Sequence, residues 1–136
     1  MNHLLVAALL STPLITFAQK NIGELLDQGG AQLTKPALTE LLSGTTWQHP
    51  FYPGEVTYKA SGTYSGTITD TVNERQVGIF GAWEVNDEGL VCEQSEGRYA
   101  YPKPLCRYWF SLGERYFASQ QSGDRAAPIG KRVRKR

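Results

Sequence analysis

Cysteine and histidine are scarce in this sequence of 136 residues, which contains two of each. Cys92 and Cys106 lie fourteen positions apart, and this spacing excludes the Cys-x-x-Cys arrangement in which one thiolate resolves the mixed disulfide of the other. A structural zinc site takes about four Cys or His ligands, and His49 is the only histidine beyond the first few residues. The sequence therefore predicts neither a dithiol oxidoreductase nor a zinc site.

Motifs of covalent and phosphate chemistry are also absent. The sequence contains no Gly-x-Ser-x-Gly elbow, no Ser-x-x-Lys and no glycine-rich phosphate loop. Its adjacent carboxylates, Asp87 and Glu88, lie in an Asn-Asp-Glu-Gly stretch that predicts a solvated turn. We therefore expect a protein that is not an enzyme and that needs no cofactor or metal ion.

No apolar run reaches the roughly 20 residues that span a bilayer. The amino-terminal run Leu4–Leu10 is followed by Pro13, and Thr16 and Ala18 then fit a signal-peptidase site. Residues 1–18 are therefore predicted to be a signal peptide, with a buried amino-terminal helix or a membrane anchor as alternatives. We expect a periplasmic or secreted protein, in a compartment where paired cysteines normally form a disulfide.

Basic residues concentrate at the carboxyl end. The five cations of the segment KRVRKR are Lys131, Arg132, Arg134, Lys135 and Arg136. In the rest of the chain, thirteen acidic residues outnumber nine basic ones. Since a block of like charge is typically solvated, residues 121–136 are predicted to be a disordered basic tail. The alternative is that these cations hold the protein on an anionic lipid surface. Nucleic acid is a poor partner for an exported protein.

One helix is predicted in the exported chain, within residues 34–44. Thr34 can cap it, Pro36 suits its first turn, and Gly44 can end it in a left-handed conformation. The preceding segment, residues 19–33, contains a double glycine and is predicted to be a flexible leader.

Residues 45–120 alternate between apolar and polar side chains and are interrupted by turns. One of these turns runs from Asn86 to Gly89, where glycine can take a positive φ. The pattern predicts six or seven short antiparallel strands in one domain, residues 34–120. Strands of this number, paired in chain order, form a small barrel or half-barrel because closure hides the sheet edges.

The alternation also predicts which side chains face the interior. The inward set on the earlier strands is Val56, Tyr58, Ala60, Tyr64 and Ile68, and on the later strands it is Val77, Ile79, Trp83, Val85, Leu90, Cys92, Cys106, Tyr108, Phe110 and Leu112. Arg107 and Trp109 are then expected to face solvent. Because both cysteines face inward on neighbouring strands, we predict a disulfide that closes a loop of about 15 residues.

A Gly-x-Trp pair, an acidic turn ending in glycine, Leu-x-Cys and Cys-x-Tyr follow one another in the carboxyl half. The residues are Gly81, Trp83, Gly89, Leu90, Cys92, Cys106 and Tyr108. This order resembles that of a family of small exported proteobacterial proteins of unassigned function, with a lipocalin-like architecture. The match rests on packing and turn residues, so the resemblance implies a fold and a compartment, and no activity.

Aromatic and basic side chains cluster in and beside the loop between the cysteines. They are Arg98, Tyr99, Tyr101, Lys103, Arg107 and Trp109. Tyr and Arg on a pre-organised loop are typical of protein-interface hot spots. We therefore predict a non-catalytic binding protein with a protein partner in the cell envelope, as for an inhibitor or immunity-type protein. The alternatives are a small-ligand carrier that uses the barrel, and a structural envelope protein tethered by its basic tail.

Overall fold

The computed structural model describes residues 18–100 and 102–136. Apart from Ala18, the predicted signal peptide lies outside the described residues, and so does Tyr101. Neither of the two α-helices in the described ranges has both the length and the apolar character needed to cross a bilayer.

The predicted leader, residues 19–33, is ordered in the structure, so its assignment as flexible is wrong. It contains helix α1 (Ile22–Asp27) and strand β1 (Ala31–Gln32). The Asn21 side chain caps α1 by accepting a hydrogen bond from the backbone N–H of Glu24 at 2.9 Å. A helix this short depends on tertiary packing rather than on intrinsic propensity.

Helix α2 (Lys35–Leu42) confirms the helix predicted within residues 34–44. Thr34 caps it through Oγ1, which accepts from the backbone N–H of Ala37 at 3.4 Å, and Gly44 follows with φ of 76°. Leu38 and Leu42 are fully buried against the interior of the sheet. The helix thus covers the end of the barrel at which the first barrel strand begins.

The sheet is a nearly closed antiparallel barrel, which confirms the predicted mainly β meander. Eight strands pair in chain order, and β1 pairs with the carboxyl-terminal part of the sixth of these strands. The eight are β2 (Thr45–Gln48), β3 (Gly54–Tyr58), β4 (Thr63–Asp70), β5 (Arg75–Val85), β6 (Leu90–Ser95), β7 (Leu105–Leu112), β8 (Arg115–Ser119) and β9 (Gly130–Arg132). The turn between β5 and β6 contains Gly89 with φ of 81°, as predicted.

The basic carboxyl end closes this barrel, so the prediction of a disordered tail is wrong. After β9, the chain lies against β2. The Gln48 N–H donates to the Val133 carbonyl at 2.9 Å, and the Lys135 N–H donates to the Thr46 carbonyl at 2.8 Å. We call this contact the seam. The backbone of this charged segment pairs with β2 because the edge of that strand would otherwise leave its own N–H and carbonyl groups unpaired.

The inward face of β6 and β7 is shifted by one residue from the prediction. Val91 and Trp109, 3% exposed each, belong to the buried cluster inside the barrel, and Val91 pairs with Arg107 across the two strands. Cys106, Tyr108, Phe110 and Leu112 therefore lie on the outer face of β7. On the earlier strands the predicted inward residues Val56, Tyr58, Tyr64 and Ile68 are buried, as are Trp83 and Val85 on β5. Ala60 lies in the turn after β3 and is exposed, so its inward placement is wrong.

The outer face of β7 is nevertheless partly buried, because α1 and the chain before β9 cover it. The buried residues of this outer cluster are Ile22, Leu25, Phe110, Phe117 and Ala127. The backbone ties the layer down: the Ile22 N–H donates to the Ala127 carbonyl at 3.1 Å. Strand β7 thus separates an interior cluster from an outer cluster.

Candidate functional site

The barrel interior contains a cavity of about 120 Å³ at the end away from α2. Its apolar walls include Trp47, Val56, Ile68 and Val91. Charged and polar side chains from four different strands also reach it. These are Tyr58 on β3, Glu93 on β6, Arg107 on β7 and Arg132 on β9.

Residues 49–53, between β2 and β3, form the rim of the cavity, which we call the mouth loop. His49 shapes this loop because its Nδ1 accepts hydrogen bonds from the backbone N–H groups of Phe51 at 3.2 Å and of Tyr52 at 3.1 Å. Burial, and secondarily the charge of Arg132, lower the pKa of His49. The neutral imidazole is the form that can accept both bonds. The Phe51 and Tyr52 side chains are 60% and 42% exposed at the rim.

Arg132 enters the barrel from the segment that was predicted to be solvated. Its guanidinium carbon lies 5.7 Å from the centre of the Trp109 ring, a cation–π distance. Its Nε is buried and has no hydrogen-bond partner among the described residues. Burial lowers the pKa of Arg132, while the neighbouring Tyr58 and Glu93 act in the opposite direction.

Arg107 approaches the same cavity from β7. Its guanidinium carbon lies 5.8 Å from the centre of the Phe51 ring in the mouth loop. Its Nη1 is buried and, within the described part of the chain, makes no hydrogen bond. Buried polar atoms without partners are uncommon in native proteins and call for an explanation at each site.

Glu93 is the carboxylate of this site. Its Oε1 accepts a hydrogen bond from the Tyr58 hydroxyl. Burial raises the pKa of Glu93, although the Tyr58 bond and the charges of Arg132 and Arg107 oppose the rise. Burial and the proximity of Glu93 raise the pKa of Tyr58 well above its usual value. With Glu93 ionised, two guanidinium groups face one carboxylate, and the site carries a net positive charge.

The arrangement can bind an anionic group. A carboxylate or phosphate oxygen accepts hydrogen bonds from guanidinium nitrogens, and such charge-assisted bonds are strong where water is excluded. The two free donors, on Arg107 and Arg132, lie beside the cavity. An anion there would satisfy both donors and neutralise the excess charge. Among the described residues, no group of three His, Cys, Asp or Glu side chains could hold a metal ion.

The six residues predicted to bind a protein partner do not form one surface. Arg98 and Lys103 are exposed, Tyr99 is half-buried beside the cavity, and Tyr101 lies outside the described residues. Arg107 and Trp109 face the interior, so the expectation that they face solvent is wrong. The one-residue shift on β7 is the cause, since successive side chains of a strand point to opposite faces. A partner for the exposed loop residues stays a prediction.

Cys92 and Cys106 form the predicted disulfide, with an S–S distance of 2.11 Å. They are paired directly across β6 and β7. The same register sets Val91 opposite Arg107 and Glu93 opposite Leu105. The disulfide therefore holds together the two strands that supply Glu93 and Arg107 to the cavity.

Sequence reasoning did not single out Tyr58 or Glu93 as site residues, and it assigned Arg132 to a surface role. A partial signal was present on β6, where Val91, Glu93 and Ser95 alternate with Cys92 and Gln94. An acidic residue in that alternation is a candidate for a buried charged position. Its partners come from β3, β7 and β9 and become visible only in the folded barrel.

Comparison of the chain with protein-family models, with curated proteins and with solved structures finds no match. The resemblance to the exported proteobacterial family therefore stays a prediction.

Proposed function

We propose that this protein is a non-catalytic binding protein that takes the anionic group of a small ligand into the barrel cavity. The observation that carries the proposal is the pair of buried donors without partners, Arg107 Nη1 and Arg132 Nε. Leaving a buried donor unsatisfied costs about 1–3 kcal/mol. An anionic ligand offsets that cost on binding, and so explains why the fold keeps these groups.

The size of the cavity limits what enters. Sites that enclose a drug-sized ligand measure about 300–1,000 Å³, whereas this cavity measures about 120 Å³. We therefore propose that the anionic group and its nearest atoms enter, while the rest of the ligand passes the mouth loop. The exposed rings of Phe51 and Tyr52 offer apolar surface to that remainder. The ligand class is a small amphiphile with one carboxylate or phosphate.

We also propose that this binding takes place outside the cytoplasm. The disulfide between Cys92 and Cys106 supports this location, because disulfides persist in oxidising compartments.

The test is a titration followed by tryptophan fluorescence, because the Trp109 ring lies under the Arg132 guanidinium. The probes are dodecanoate, dodecyl phosphate and the uncharged dodecanol, each added to the disulfide-bonded chain. We expect at least one anionic probe to bind about ten-fold or more tightly than the alcohol, since a hydrogen bond to a charged group contributes about 1.5–3 kcal/mol.

Two variants complete the design. Arg132→Met removes one of the two cavity cations and should reduce the preference for the anionic probes, whereas Arg98→Met removes an exposed arginine and should leave it intact. Equal affinity for all three probes would contradict the role of the guanidinium groups. If none of the probes bound, this ligand class would be wrong.

A further inference from the structure

The cations of residues 131–136 divide into two groups in the folded protein. Arg132 faces the barrel cavity, and Lys135 forms an ion pair with Glu55, its Nζ lying 2.5 Å from Oε2. The side chains of Lys131, Arg134 and Arg136 are exposed. Lys131, Arg134 and Arg136 are therefore available for an external contact, although the sequence alone does not distinguish them from Arg132 and Lys135.

Arg115, the first residue of β8, joins these three. The four side chains line one shallow surface depression of about 670 Å³. We call Arg115, Lys131, Arg134 and Arg136 the basic face. In the described ranges none of the four forms an ion pair. Arg115 has a weak polar contact at 3.4 Å with Gln19, and Glu114 is the one acidic side chain that lines the depression.

Strand pairing orders the backbone that presents these cations. Lys131 lies in β9, opposite Phe117 of β8, and the residues that follow are fixed at the seam. A face that is already ordered loses less conformational entropy on binding than a flexible tail of the same sequence would lose. The cations thus form a pre-organised positive surface on a protein whose net charge is +1.

We infer that the basic face binds the surface of an anionic phospholipid bilayer. The depression is wide and open, which suits many headgroups at once rather than a single enclosed phosphate. Single-stranded nucleic acid is disfavoured because such sites stack bases on aromatic rings. The aromatic residue of this depression, Tyr116, is half-buried, and its ring packs edge-on against Trp47 at 5.4 Å between centres. This inference does not depend on the proposed cavity ligand.

Most of the basic face lies towards the end of the barrel that is away from the mouth loop. Lys135 pairs with Thr46, near the start of β2, whereas the mouth loop follows the end of that strand. Arg115 likewise begins β8 at the end of the barrel away from the mouth loop. Lys131 lies nearer the mouth, since it lines a second depression together with Pro50 and Phe51, so the basic face extends along the barrel from the far end towards the mouth loop.

The experiment is co-sedimentation of the disulfide-bonded chain with vesicles of phosphatidylcholine, with and without phosphatidylglycerol. We expect binding to the anionic vesicles alone, and a marked decrease as added salt shortens the Debye length. The test variant is Lys131→Gln/Arg134→Gln/Arg136→Gln. Each basic residue near such a surface contributes about a five-fold gain in affinity, so this variant should bind about 100-fold more weakly.

The matched control is Lys59→Gln/Arg98→Gln/Lys103→Gln, which changes the charge equally at exposed positions elsewhere. It should retain most of the affinity. The single variant Arg115→Gln tests the contribution of β8 without altering the seam, and we expect about a five-fold loss. Thermal unfolding of each variant establishes that it is folded.

Three results would overturn the inference. The first is an equal loss in both triple variants, which would mean that net charge alone drives the association. The second is equal binding to vesicles without phosphatidylglycerol. The third is tighter binding to a DNA duplex than to anionic vesicles at the same salt concentration, which would make the basic face a nucleic-acid surface.

Discussion

The two faces of strand β7 differ in composition and in surroundings. The inner face presents Arg107 and Trp109 to a cavity, whereas the outer face presents Phe110 to the apolar packing under α1. The outer cluster is apolar, and Ile22 and Leu25 within it are fully buried. The inner face instead carries the charged side chain of Arg107, whose Nη1 is buried without a partner among the described residues. A single strand thus packs against an apolar cluster on one side and borders a cavity with charged side chains on the other.

The largest expected effect comes from the outer face. Phe110→Ala should lower the free energy of unfolding by about 3–5 kcal/mol, because it removes a buried ring and leaves a cavity under α1. Urea denaturation followed by tryptophan fluorescence measures the change. Affinity for an anionic probe should stay within about two-fold of the unaltered chain under folding conditions. A stability loss below about 1 kcal/mol would show that the outer cluster adds little, and the contrast between the faces would fail.

The inner face should give a smaller effect of opposite sign. Arg107→Met replaces a half-buried guanidinium with a shorter, apolar and unbranched chain, and it removes a donor that has no partner in the described structure. We expect the free energy of unfolding to rise by about 1 kcal/mol and anion binding to weaken. The same urea experiment measures the first quantity. A clear loss of stability would indicate that Arg107 is satisfied and that its role is structural.

The smallest effect concerns the mouth loop and its response to pH. The lowered pKa of His49 means that the unfolded chain takes up a proton first as the pH falls below about 6.5. The stability contributed by neutral His49 is therefore complete above that pH and is lost as the pH falls towards the folded-state value.

His49→Asn is the matched variant, because an asparagine oxygen can accept from the same backbone N–H groups without titrating. We expect the melting temperature of the unaltered chain to fall between about pH 7 and about pH 5 by more than that of the variant. If the melting temperatures of the two proteins changed equally with pH, protonation of His49 would not be what destabilises the mouth loop.

Local signals explain which parts of the fold the sequence predicts well. Helix α2 has a capping threonine, an early proline and a closing glycine, and each acts within a few residues of its own position. Strands β3 and β4 alternate clearly because their outer face meets solvent, as the exposed Thr63 and Thr67 show. These elements depend little on what the rest of the chain does.

The sequence-based predictions are wrong where a residue is buried by segments that are distant in the sequence. On β6, Val91 and Cys92 are 3% and 8% exposed, so both faces are buried and the alternation no longer identifies the interior. A one-residue error then reverses every side chain of the strand. Helix α1 is too short to show a period, and its packing against Ala127 is a long-range contact. The sequence did not predict the candidate site for the same reason, since Arg132 contacts Trp109 only after the barrel closes.

The seam has a kinetic consequence. Every other junction of the barrel joins strands adjacent in the chain, whereas the seam joins Gln48 to Val133. Contacts between residues far apart in sequence form slowly because the intervening chain must be ordered first. We therefore expect the seam to form late in folding and to be the first junction to open. Because Arg132 lies next to it, we expect an anion bound in the cavity to favour the closed barrel, which would couple ligand exchange to local unfolding.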